Sequence, residues 1–381
     1  MLAIFANNFD QPSETFIRGH VRHIAPGRTV LLCRDDGGAT EFGCPVLSDV
    51  RGNARPRGAI ERVANGLRWR WWHYIAPALR GSDEARVRTF LQRHGVRSVL
   101  AEYGPNGSLL RLACKRAGVL LYVHFHGFDA TMVQRGSSTG RHYQRLFRDA
   151  AGIIAPSHFL AGRLLALGCP DSKLHVSPNG IDPDIFSETA RVAGQFLAVG
   201  RLVEKKAPHL TIRAFAKVRK HRPDCTLDIV GDGPLWQACV DEIANYDLED
   251  CVRLHGAQGS DFVQKLLGKA EIFVQHSVTA LNGDMESFGV SLVEAMASSI
   301  PVVATDHNGF SETVSNGETG LLIAEHDVNG MADAMIALLE NRPQAEAMGH
   351  AGRARVKERF THDRTAARLR EIMGIEVTLD F

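Results

Sequence analysis

The feature that most constrains the fold is an alternation of short β-rich runs with helical patterns, which occurs in both halves of the chain. Such alternation is typical of parallel sheets whose strands are joined by covering helices. We therefore expect an α/β protein with two Rossmann-like, doubly wound parallel-sheet domains. The predicted strands are LAIFAN, TVLLC, SVLAEY, LLYVHFH, GIIAPS and LHVSP, and then FLAVG, TLDIVG, VRLHG, EIFVQ, PVVAT and GLLI.

The turn-rich stretch SPNGIDPDIF (177–186) marks the predicted hinge between the two domains. It predicts an amino-terminal domain over 1–180 and a carboxyl-terminal domain over 181–360, with a helical tail over 361–381 that packs back on the amino-terminal domain. Ligands of doubly wound sheets bind at the carboxyl ends of the strands. The expected site is therefore a cleft that the two domains face.

Composition excludes several classes of protein. Lys and Arg number 44 and Asp and Glu 43, so the overall charge does not point to nucleic acid. The chain has no apolar run long enough to span a membrane, and its start, MLAIFANNFD, lacks the features of a signal peptide. Seven scattered cysteines without a Cys-x-x-Cys pair favour reduced thiols over disulfides or structural zinc. These features predict a cytoplasmic protein.

Two carboxylates in the apolar stretch NGDMESFGVSLVEAMASSIPVVATD (282–306) predict a binding site. If a helix starts at Ser287, Glu286 lies outside its amino end and Glu294 lies about 12 Å further along. That separation is too large for one metal but suits two hydroxylated groups of an extended ligand. Between them, the amides of Phe288 and Gly289 suit an anion. The alternative is a helix cap and a buried Glu bound by backbone.

A second motif, AVGRLVEKKAPHLTIRAF (198–215), places Arg201 and Lys206 after a predicted strand and before a helix near Pro208. The planar fork of Arg and the point charge of Lys together suit a diphosphate. The alternative is a solvated charged loop, since Glu204 and Lys205 lie alongside. In IVGDGPL (229–235), Gly231 either permits close approach of a ligand or forms a tight turn.

In the first half, YVHFHGFDA (122–130) places His124 and His126 at the end of a strand. No third metal ligand occurs at a recognisable spacing, so we predict no metal and a hydrogen-bonding or acid–base role. In NNFDQPSETFIRGH (7–20), Ser13 is the expected N-cap of a helix. The acidic pair in DPD (182–184) fits turn capping better than metal binding.

The segment 51–80 contains seven arginines and one acid, with Trp69, Trp71 and Trp72 clustered. Arg and Trp together suit a lipid headgroup interface or an acidic, lipid-linked acceptor. The alternative is an ordinary helix whose tryptophans face the core. The segment predicts a peripheral contact with the cytoplasmic face of the membrane.

Nearly the whole chain resembles the retaining glycosyltransferases of family 4, which have the two-domain GT-B fold. The matching motifs are APSHFLAGRLLALG, SPNGID, GRLVEKKAP, IVGDGPL, ESFGVSLVEA and TGLLI. The motifs PSETFI and AEYGPNG are similar to those of the subgroup that builds bacterial exopolysaccharides and related surface glycans. The chain departs from the family at residues 11–14 and at HNGF (307–310), which replace Gly-Gly loops, and at Ala207, where Gly is usual.

The resemblance implies a function for each motif. The donor is a UDP- or GDP-sugar, no cofactor or metal is required, and the acceptor is a glycan, a lipid-linked sugar or a small molecule. The implied catalytic residues are His126, Arg201, Lys206 and Glu286. The implied donor-binding residues are Arg201, Lys206, Gly231, Glu286, Ser287, Phe288, Gly289 and Glu294, and the implied acceptor-side residues are Ser13, Glu14, Thr15, Tyr103, Asn106 and Asp129.

The predicted reaction is transfer of the sugar to an acceptor hydroxyl with retained anomeric configuration. Positive charge placed at the departing diphosphate is the largest available contribution to rate. No carboxylate is an obvious covalent nucleophile, so transfer on the same face fits best. The alternatives are an epimerase or phosphorylase of the same fold, or a nucleotide-sugar-binding protein without turnover.

Overall fold

The computed structural model describes residues 1–11, 14–50, 79, 81–186 and 189–376. Two compact units result, Met1–Pro178 with Thr365–Phe381, and Asn179–Arg364. Each unit holds one sheet in which every pair of neighbouring strands is parallel, so the predicted α/β class with two doubly wound sheets is confirmed. The divisions fall after residues 178 and 364, where the sequence predicts 180 and 360.

The amino-terminal unit is built on a seven-stranded sheet with the order β3-β2-β1-β4-β5-β6-β7. Its central strands are buried along their whole length, as expected for a sheet covered on both faces. The two-residue strand β3 is an edge strand that the sequence did not indicate. The strands are β1 (Leu2–Ala6), β2 (Thr29–Cys33), β3 (Val46–Leu47), β4 (Ser98–Glu102), β5 (Leu120–His124), β6 (Gly152–Ala155) and β7 (Leu174–Val176).

The helices of this unit follow the strands and start where local capping allows. The Ser137 and Ser157 side chains accept hydrogen bonds from the amides of Gly140 and Leu160, and so cap the helices that follow them. The described helices are α1 (Thr15–His23), α2 (Gly81–Arg93), α3 (Gly104–Ala117), α4 (Phe128–Thr131), α5 (Ser138–Asp149) and α6 (His158–Ala166), with 3₁₀ turns at Ala39–Phe42 and Asp171–Lys173.

The carboxyl-terminal unit is built on a six-stranded sheet with the order β10-β9-β8-β11-β12-β13. Consecutive residues of one strand point to opposite faces: Phe196 packs in one apolar cluster with Phe215, and Leu197 packs in another with Phe273. The strands are β8 (Gln195–Val199), β9 (Thr226–Val230), β10 (Val252–Leu254), β11 (Ile272–Gln275), β12 (Val302–Thr305) and β13 (Gly320–Ile323).

The described helices of this unit connect its strands, and the last one returns to the other unit. They are α7 (Pro208–His221), α8 (Trp236–Asn245), α9 (Ser260–Lys269), α10 (Val290–Ala297), α11 (Phe310–Thr313), α12 (Val328–Glu340), α13 (Arg342–Arg359) and α14 (His362–Met373), with 3₁₀ turns at Pro183–Ile185 and Glu204–Lys206.

The last helix, α14, joins the amino-terminal unit through side chains that reach its backbone. The Thr365 hydroxyl donates to the Pro178 carbonyl at 2.9 Å, and Arg370 donates to the His23 carbonyl at 2.8 Å. None of the helices that the structure describes is long and apolar enough to cross a membrane. The Arg- and Trp-rich segment 51–80, apart from Leu79, lies outside the described residues, so its predicted membrane contact stays a prediction.

Strand order indicates where a ligand is expected in each unit. In both sheets the order reverses beside the first strand, between β1 and β4 in one and between β8 and β11 in the other. The loops that leave two such strands diverge to opposite faces of the sheet and leave a crevice between them. Residues that follow β1, β4, β8 and β11 are therefore the ones placed to meet a ligand.

Candidate active site

A small pocket of the carboxyl-terminal unit lies at the ends of β8 and β11, and its lining includes Gly200, Arg201, Lys206, Thr211 and Gln275. Arg201 is exposed, whereas the Lys206 side chain is 15% exposed. Helix α7 begins at Pro208, as the sequence predicts. The strand end therefore brings two predicted phosphate ligands, Arg201 and Lys206, to one pocket.

Lys205 is the residue of this loop that the sequence analysis missed. Instead of facing solvent, its side chain is 7% exposed, and its ammonium lies 3.1 Å from Asp284 Oδ1 and 3.3 Å from Glu286 Oε1. It also donates to the Met285 carbonyl at 3.3 Å. The run EKK has no sequence signal for burial, because adjacent charges are the usual mark of a solvated turn. For Lys205 the alternative of a solvated charged loop is therefore wrong, because its side chain forms a buried ion pair.

Glu286 lies between the two lysines, with Lys206 Nζ 3.6 Å from its Oε2 atom. Burial by itself raises the pKa of Glu286, but the charges of Lys205, Lys206 and Arg201 outweigh it and lower the pKa to about 2. The side chain is therefore a carboxylate at any pH near neutrality. It is held as a hydrogen-bond acceptor in front of the cations.

The backbone of Glu286 is held by a second pair of side chains. Its amide donates to His307 Nε2 at 3.1 Å, and His307 Nδ1 lies 2.5 Å from Glu325 Oε1. The other oxygen of Glu325 accepts from the Thr279 amide at 2.8 Å. HNGF, which departs from the family pattern, thus contributes a fully buried imidazole that positions the loop carrying Glu286.

Helix α10 begins at Val290, three residues later than the sequence predicts with Ser287. The reason is Gly289, whose φ of +83° is left-handed and lies outside the helical region. Glu286 therefore lies four residues before the helix, while Glu294 stays inside it. The amides of Phe288 and Gly289 make no hydrogen bond within the described chain, and they precede the positive end of the helix.

Glu294 has no hydrogen bond to its carboxylate among the described residues and is partly exposed. Loss of solvation raises its pKa to about 7, although the charge of Lys206 opposes that rise. The alternative of a Glu bound by backbone is therefore wrong, because the carboxylate has no such partner. A carboxylate left unpaired at this depth fits one that accepts hydrogen bonds from a ligand.

Gly231 makes a close approach to the protein's own backbone. Its φ is +146°, and a Cβ atom there would lie 2.0 Å from the Gly200 carbonyl oxygen. Its amide donates to the Gly256 carbonyl at 2.8 Å. This glycine therefore lets the loops after β8, β9 and β10 pack together at the edge of the pocket, and its predicted contact with the donor stays a prediction.

In the amino-terminal unit, four side chains form a buried cluster around the end of β4. Glu102, the last residue of β4, accepts from His20 Nδ1 through Oε1 at 2.8 Å and from His126 Nε2 through Oε2 at 2.7 Å. His124 Nδ1 lies 3.9 Å from Oε2. Burial raises the pKa of Glu102, but His20 and His126 outweigh it and hold that pKa well below its usual range.

The cluster contains a possible group of three metal ligands, which includes His124 but not His126. One ligand atom each from His20, Glu102 and His124 can be chosen so that all lie within 4.8 Å of one another. Both oxygens of Glu102 already accept hydrogen bonds from imidazoles, so a metal ion would have to replace those bonds. This arrangement favours a hydrogen-bonded network, and the absence of a metal stays a prediction.

The predicted acceptor-side residues surround the same cluster. The Tyr103 hydroxyl donates to Glu14 Oε1 at 2.8 Å, and its ring centre lies 4.8 Å from that of His126. Tyr103 has a φ of +74°, a strained value typical of functional sites. Thr15 is the first residue of α1, with Glu14 rather than Ser13 at the N-cap position; Ser13 lies outside the described residues.

Two further acceptor-side candidates are fully engaged by the protein. Asn106 donates to the Glu102 carbonyl at 2.8 Å and accepts from Arg34 at 3.2 Å. The Asp129 carboxylate is fully buried and accepts from the amides of Gly104, His126 and Gly127 at 2.9, 3.0 and 2.9 Å. This geometry favours a structural role for Asp129 over contact with an acceptor.

Two family models together match most of the chain. Residues 20–185 match the model described as Glycosyltransferase Family 4, and residues 189–355 match Glycosyl transferases group 1. The first match ends at residue 185 and the second begins at residue 189, close to the division between the two units after residue 178.

Curated relatives belong to the same class. The amylovoran biosynthesis glycosyltransferase AmsK of Erwinia amylovora is 33% identical over 254 residues, which is 65% of this chain and 62% of that protein. The putative colanic acid biosynthesis glycosyltransferase WcaL of Escherichia coli is 34% identical over 62% of this chain and 60% of its own length. The chain thus spans about three fifths of the length of these relatives.

A mycobacterial relative and two solved structures cover more of the chain. The GDP-mannose-dependent phosphatidylinositol monomannoside mannosyltransferase of Mycobacterium tuberculosis is 26% identical over 76% of this chain and 79% of its own. The crystal structure of HepE of Anabaena with UDP has a TM-score of 0.79 at 19% identity, over 98% of this chain and 100% of its own. Sucrose-phosphate synthase of Thermosynechococcus elongatus has a TM-score of 0.76 at 18% identity, covering 98% of both chains. The chain belongs to the glycosyltransferases of family 4, with their GT-B fold.

Proposed function

We propose that this protein transfers a sugar from a nucleotide-diphosphate sugar to a hydroxyl of a glycan, lipid-linked or small-molecule acceptor, with retained anomeric configuration. The observation that carries the proposal is the pairing of Lys205 and Lys206 with Glu286 beside Arg201 at one strand end. Three cations stand against two carboxylates here, Glu286 and Asp284, so positive charge remains in excess. That excess suits a diphosphate, which the donors of this class carry.

The two lysines have different roles in this proposal: Lys206 binds the diphosphate and Lys205 positions Glu286. Lys206 lines the pocket and is the more distant partner of Glu286, at 3.6 Å against 3.3 Å for Lys205. When a diphosphate enters, Lys206 turns to it together with Arg201, while Lys205 keeps Glu286 in place. Glu286 then accepts hydrogen bonds from the donor sugar, and Glu294 accepts them from the ribose hydroxyls.

Charge stabilisation accounts for the proposed chemistry. The bond from the sugar to the phosphate breaks with negative charge developing on the leaving diphosphate. In the donor complex that we propose, Arg201, Lys206 and the amides of Phe288 and Gly289 donate to the leaving diphosphate as that charge develops, and each such donor contributes roughly 2–4 kcal/mol to transition-state stabilisation. The departing phosphate accepts the proton of the acceptor hydroxyl, so no carboxylate nucleophile and no metal ion are needed. His126 is proposed to contact the reacting sugar.

Names of the relatives support the product class. AmsK and WcaL are described as acting in amylovoran and colanic acid biosynthesis, so we propose polysaccharide or glycoconjugate synthesis. The nucleotide has two candidates. The mycobacterial relative is described as GDP-mannose-dependent, whereas HepE was crystallised with UDP and UDP-glucose.

The test begins with a thermal-shift screen of UDP- and GDP-sugars, since a bound donor stabilises the folded protein by mass action. The stabilising donor is then incubated with an extract of bacterial glycans and lipid-linked sugars, with and without EDTA. We expect consumption of the donor that depends on the extract, resists EDTA and retains the anomeric configuration. Epimerised donor in the absence of acceptor, or loss of all turnover with EDTA, would contradict the proposal.

A further inference from the structure

Glu102 is an unusual carboxylate for its surroundings. It ends a strand of the amino-terminal sheet, its side chain is completely buried, and neither of its hydrogen-bonded partners is a lysine or arginine. A buried carboxylate costs several kcal/mol unless it is paired. Here the pairing comes from His20 and His126, which are also buried. Such a group has a clear reason to be present if it acts on one of these imidazoles.

The two hydrogen bonds determine which ring nitrogen carries a proton. An ionised carboxylate only accepts, so each imidazole must donate the nitrogen that faces it. His126 therefore carries a proton on Nε2, 2.7 Å from Glu102 Oε2, and His20 carries one on Nδ1, 2.8 Å from Oε1. In a neutral ring the lone pair of His126 is consequently on Nδ1.

The rest of the surroundings fixes the position of His126 as well. Its ring lies against Phe16 and Tyr103, with centre-to-centre distances of 4.5 and 4.8 Å. Its backbone amide donates to Asp129 at 3.0 Å. These contacts restrict where the ring lies, and the hydrogen bond to Glu102 selects which edge of the ring faces the carboxylate. This is the arrangement expected around a side chain whose orientation matters for chemistry.

We propose that Glu102 is a positioning residue for the transfer reaction: it fixes the orientation and the tautomer of His126, and His20 in turn fixes Glu102. The proposal rests on the proposed function, because it takes His126 as the residue that contacts the reacting sugar. Carboxylates that orient metal-bound histidines through the same kind of hydrogen bond typically change activity by about 10–100-fold when they are removed, and we expect an effect of that size here.

The kinetic test compares the wild type with Glu102→Gln, which keeps the shape but presents an amide. We expect kcat to fall by about 10–100-fold while the KM for the donor changes little, because the donor-binding residues belong to the other unit. The matched control is Glu84→Gln, which removes a buried carboxylate of the same unit that pairs with Arg116. Glu84→Gln is expected to keep the wild-type kcat.

The spectroscopic test needs no turnover. In protein labelled with ¹⁵N-histidine, long-range ¹H–¹⁵N correlation spectra report the tautomer of each ring, and the signals lost in His126→Gln identify His126. The wild type is expected to show the Nε2–H tautomer at pH 8, and Glu102→Gln is expected to lose that preference. A wild-type ring protonated on Nδ1 would overturn the proposal.

A second pair of variants tests the other side of the carboxylate. His20→Asn retains an N–H donor close to the position of Nδ1, whereas His20→Leu has none. We expect His20→Asn to restore kcat to within a few-fold of the wild type and His20→Leu to lose about tenfold or more; equal kcat values would count against the proposal. If Glu102→Gln does not fold, the kcat values of His20→Asn and His20→Leu and the spectrum of the wild type still test the role of Glu102.

The outcomes separate the two proposals. If the wild type transfers no sugar, the proposed function fails, and the tautomer of His126 still tests the geometry argued here. If the wild type transfers sugar and Glu102→Gln keeps the wild-type kcat, the role of Glu102 alone is overturned.

Discussion

At the scale of single residues, Lys205 and Lys206 show how two neighbours with the same charge are used differently. Burial lowers the pKa of both. For Lys205, the charges of Glu286 and Asp284 outweigh burial and raise the pKa above its ordinary value. For Lys206, burial prevails and lowers the pKa, even with Glu286 nearby. Folding therefore favours the charge on Lys205 and disfavours the charge on Lys206, the residue that we propose binds the diphosphate.

This difference predicts opposite effects on stability. A raised lysine pKa contributes stability at all pH values below its ordinary pKa. At pH 7.5 Lys205→Met should therefore lose roughly 3–5 kcal/mol, because it removes the buried ammonium that pairs with both Asp284 and Glu286 and leaves Glu286 with Lys206. A lowered lysine pKa costs stability over the same range of pH. The free energy of unfolding of Lys206→Met should therefore equal or exceed that of the wild type. Urea unfolding of the unliganded proteins measures both, and equal losses would contradict the assignment.

Glu294 predicts a dependence on pH. Its pKa of about 7 lies above the ordinary value of 4.5, so the folded state favours the neutral acid, and stability falls as the pH rises from about 4.5 to 7. Glu294→Gln should therefore melt above the wild type at pH 8 and close to it at pH 5. The affinity of the wild type for the nucleotide is expected to rise as Glu294 ionises with increasing pH around 7. The variant should bind the nucleotide more weakly and lack this rise. Melting curves and calorimetric titrations at both pH values check this, and a variant that binds like the wild type would contradict the role of Glu294.

At the scale of elements, the loop between β11 and α10 carries the site, and the surrounding chain determines its shape. Three of its amides donate to side chains outside the loop: that of Leu281 to Glu204, that of Thr279 to Glu325 and that of Glu286 to His307. The loop has no regular structure of its own, so its position depends on these contacts and on others such as the hydrogen bond from Lys205 to the Met285 carbonyl. Gly289 ends it, because only a residue that tolerates a left-handed φ allows the chain to enter α10 there.

Two glycines give a matched test of this point. A Cβ atom at Gly289 would lie 2.7 Å from the Phe310 ring, and the φ of +83° is strained for alanine, so Gly289→Ala should lose stability and weaken donor binding. Gly162 lies inside α6 with nothing within 4 Å of its Cβ position, so Gly162→Ala should gain up to about 1 kcal/mol. Urea unfolding and nucleotide titration check both, and similar results for the two variants would contradict the argument.

The elements themselves were largely predictable from the sequence, whereas the side-chain partners were not. Apolar runs such as TVLLC and PVVAT indicate buried parallel strands, and every strand predicted from such a run is present. Glu102, the acid in SVLAEY, carried the same signal as Glu294, a carboxylate in an apolar element, and so it was open to prediction. The partners of Lys205 and Glu102 come from loops and strands distant in the sequence, and no local pattern specifies such contacts.

At the scale of the whole molecule, each unit has its own sheet and core, and the chain passes from the first to the second and back. The return is made by α14, on which Ala366, Leu369 and Met373 are buried. Polar contacts of Thr365, Arg368 and Arg370 with the backbone of Val176, Pro178 and His23 accompany that burial. The end of the described chain is therefore part of the stability of the amino-terminal unit.

Leu369→Ala tests this contribution. The side chain is fully buried, and truncation of a buried leucine typically loses roughly 2–5 kcal/mol. Hydrogen–deuterium exchange should become faster in α1 and β7 and stay unchanged in β8 and β9. The control, Leu165→Ala, removes a side chain that is 41% exposed and should change little. Equal acceleration in both units would contradict a local role for α14.

The sequence by itself determined the class of fold, the succession of strands and helices along the chain apart from β3, and the motifs that we propose bind the donor. These depend on the periodicity of apolar residues and on turns that are local in the chain. The tertiary structure alone decided that Lys205 is buried, that His307 and Glu325 hold the loop of Glu286, and that one carboxylate lies between His20 and His126. These depend on side chains from separate elements that meet only when the sheets form, and burial then sets their charge and their partners.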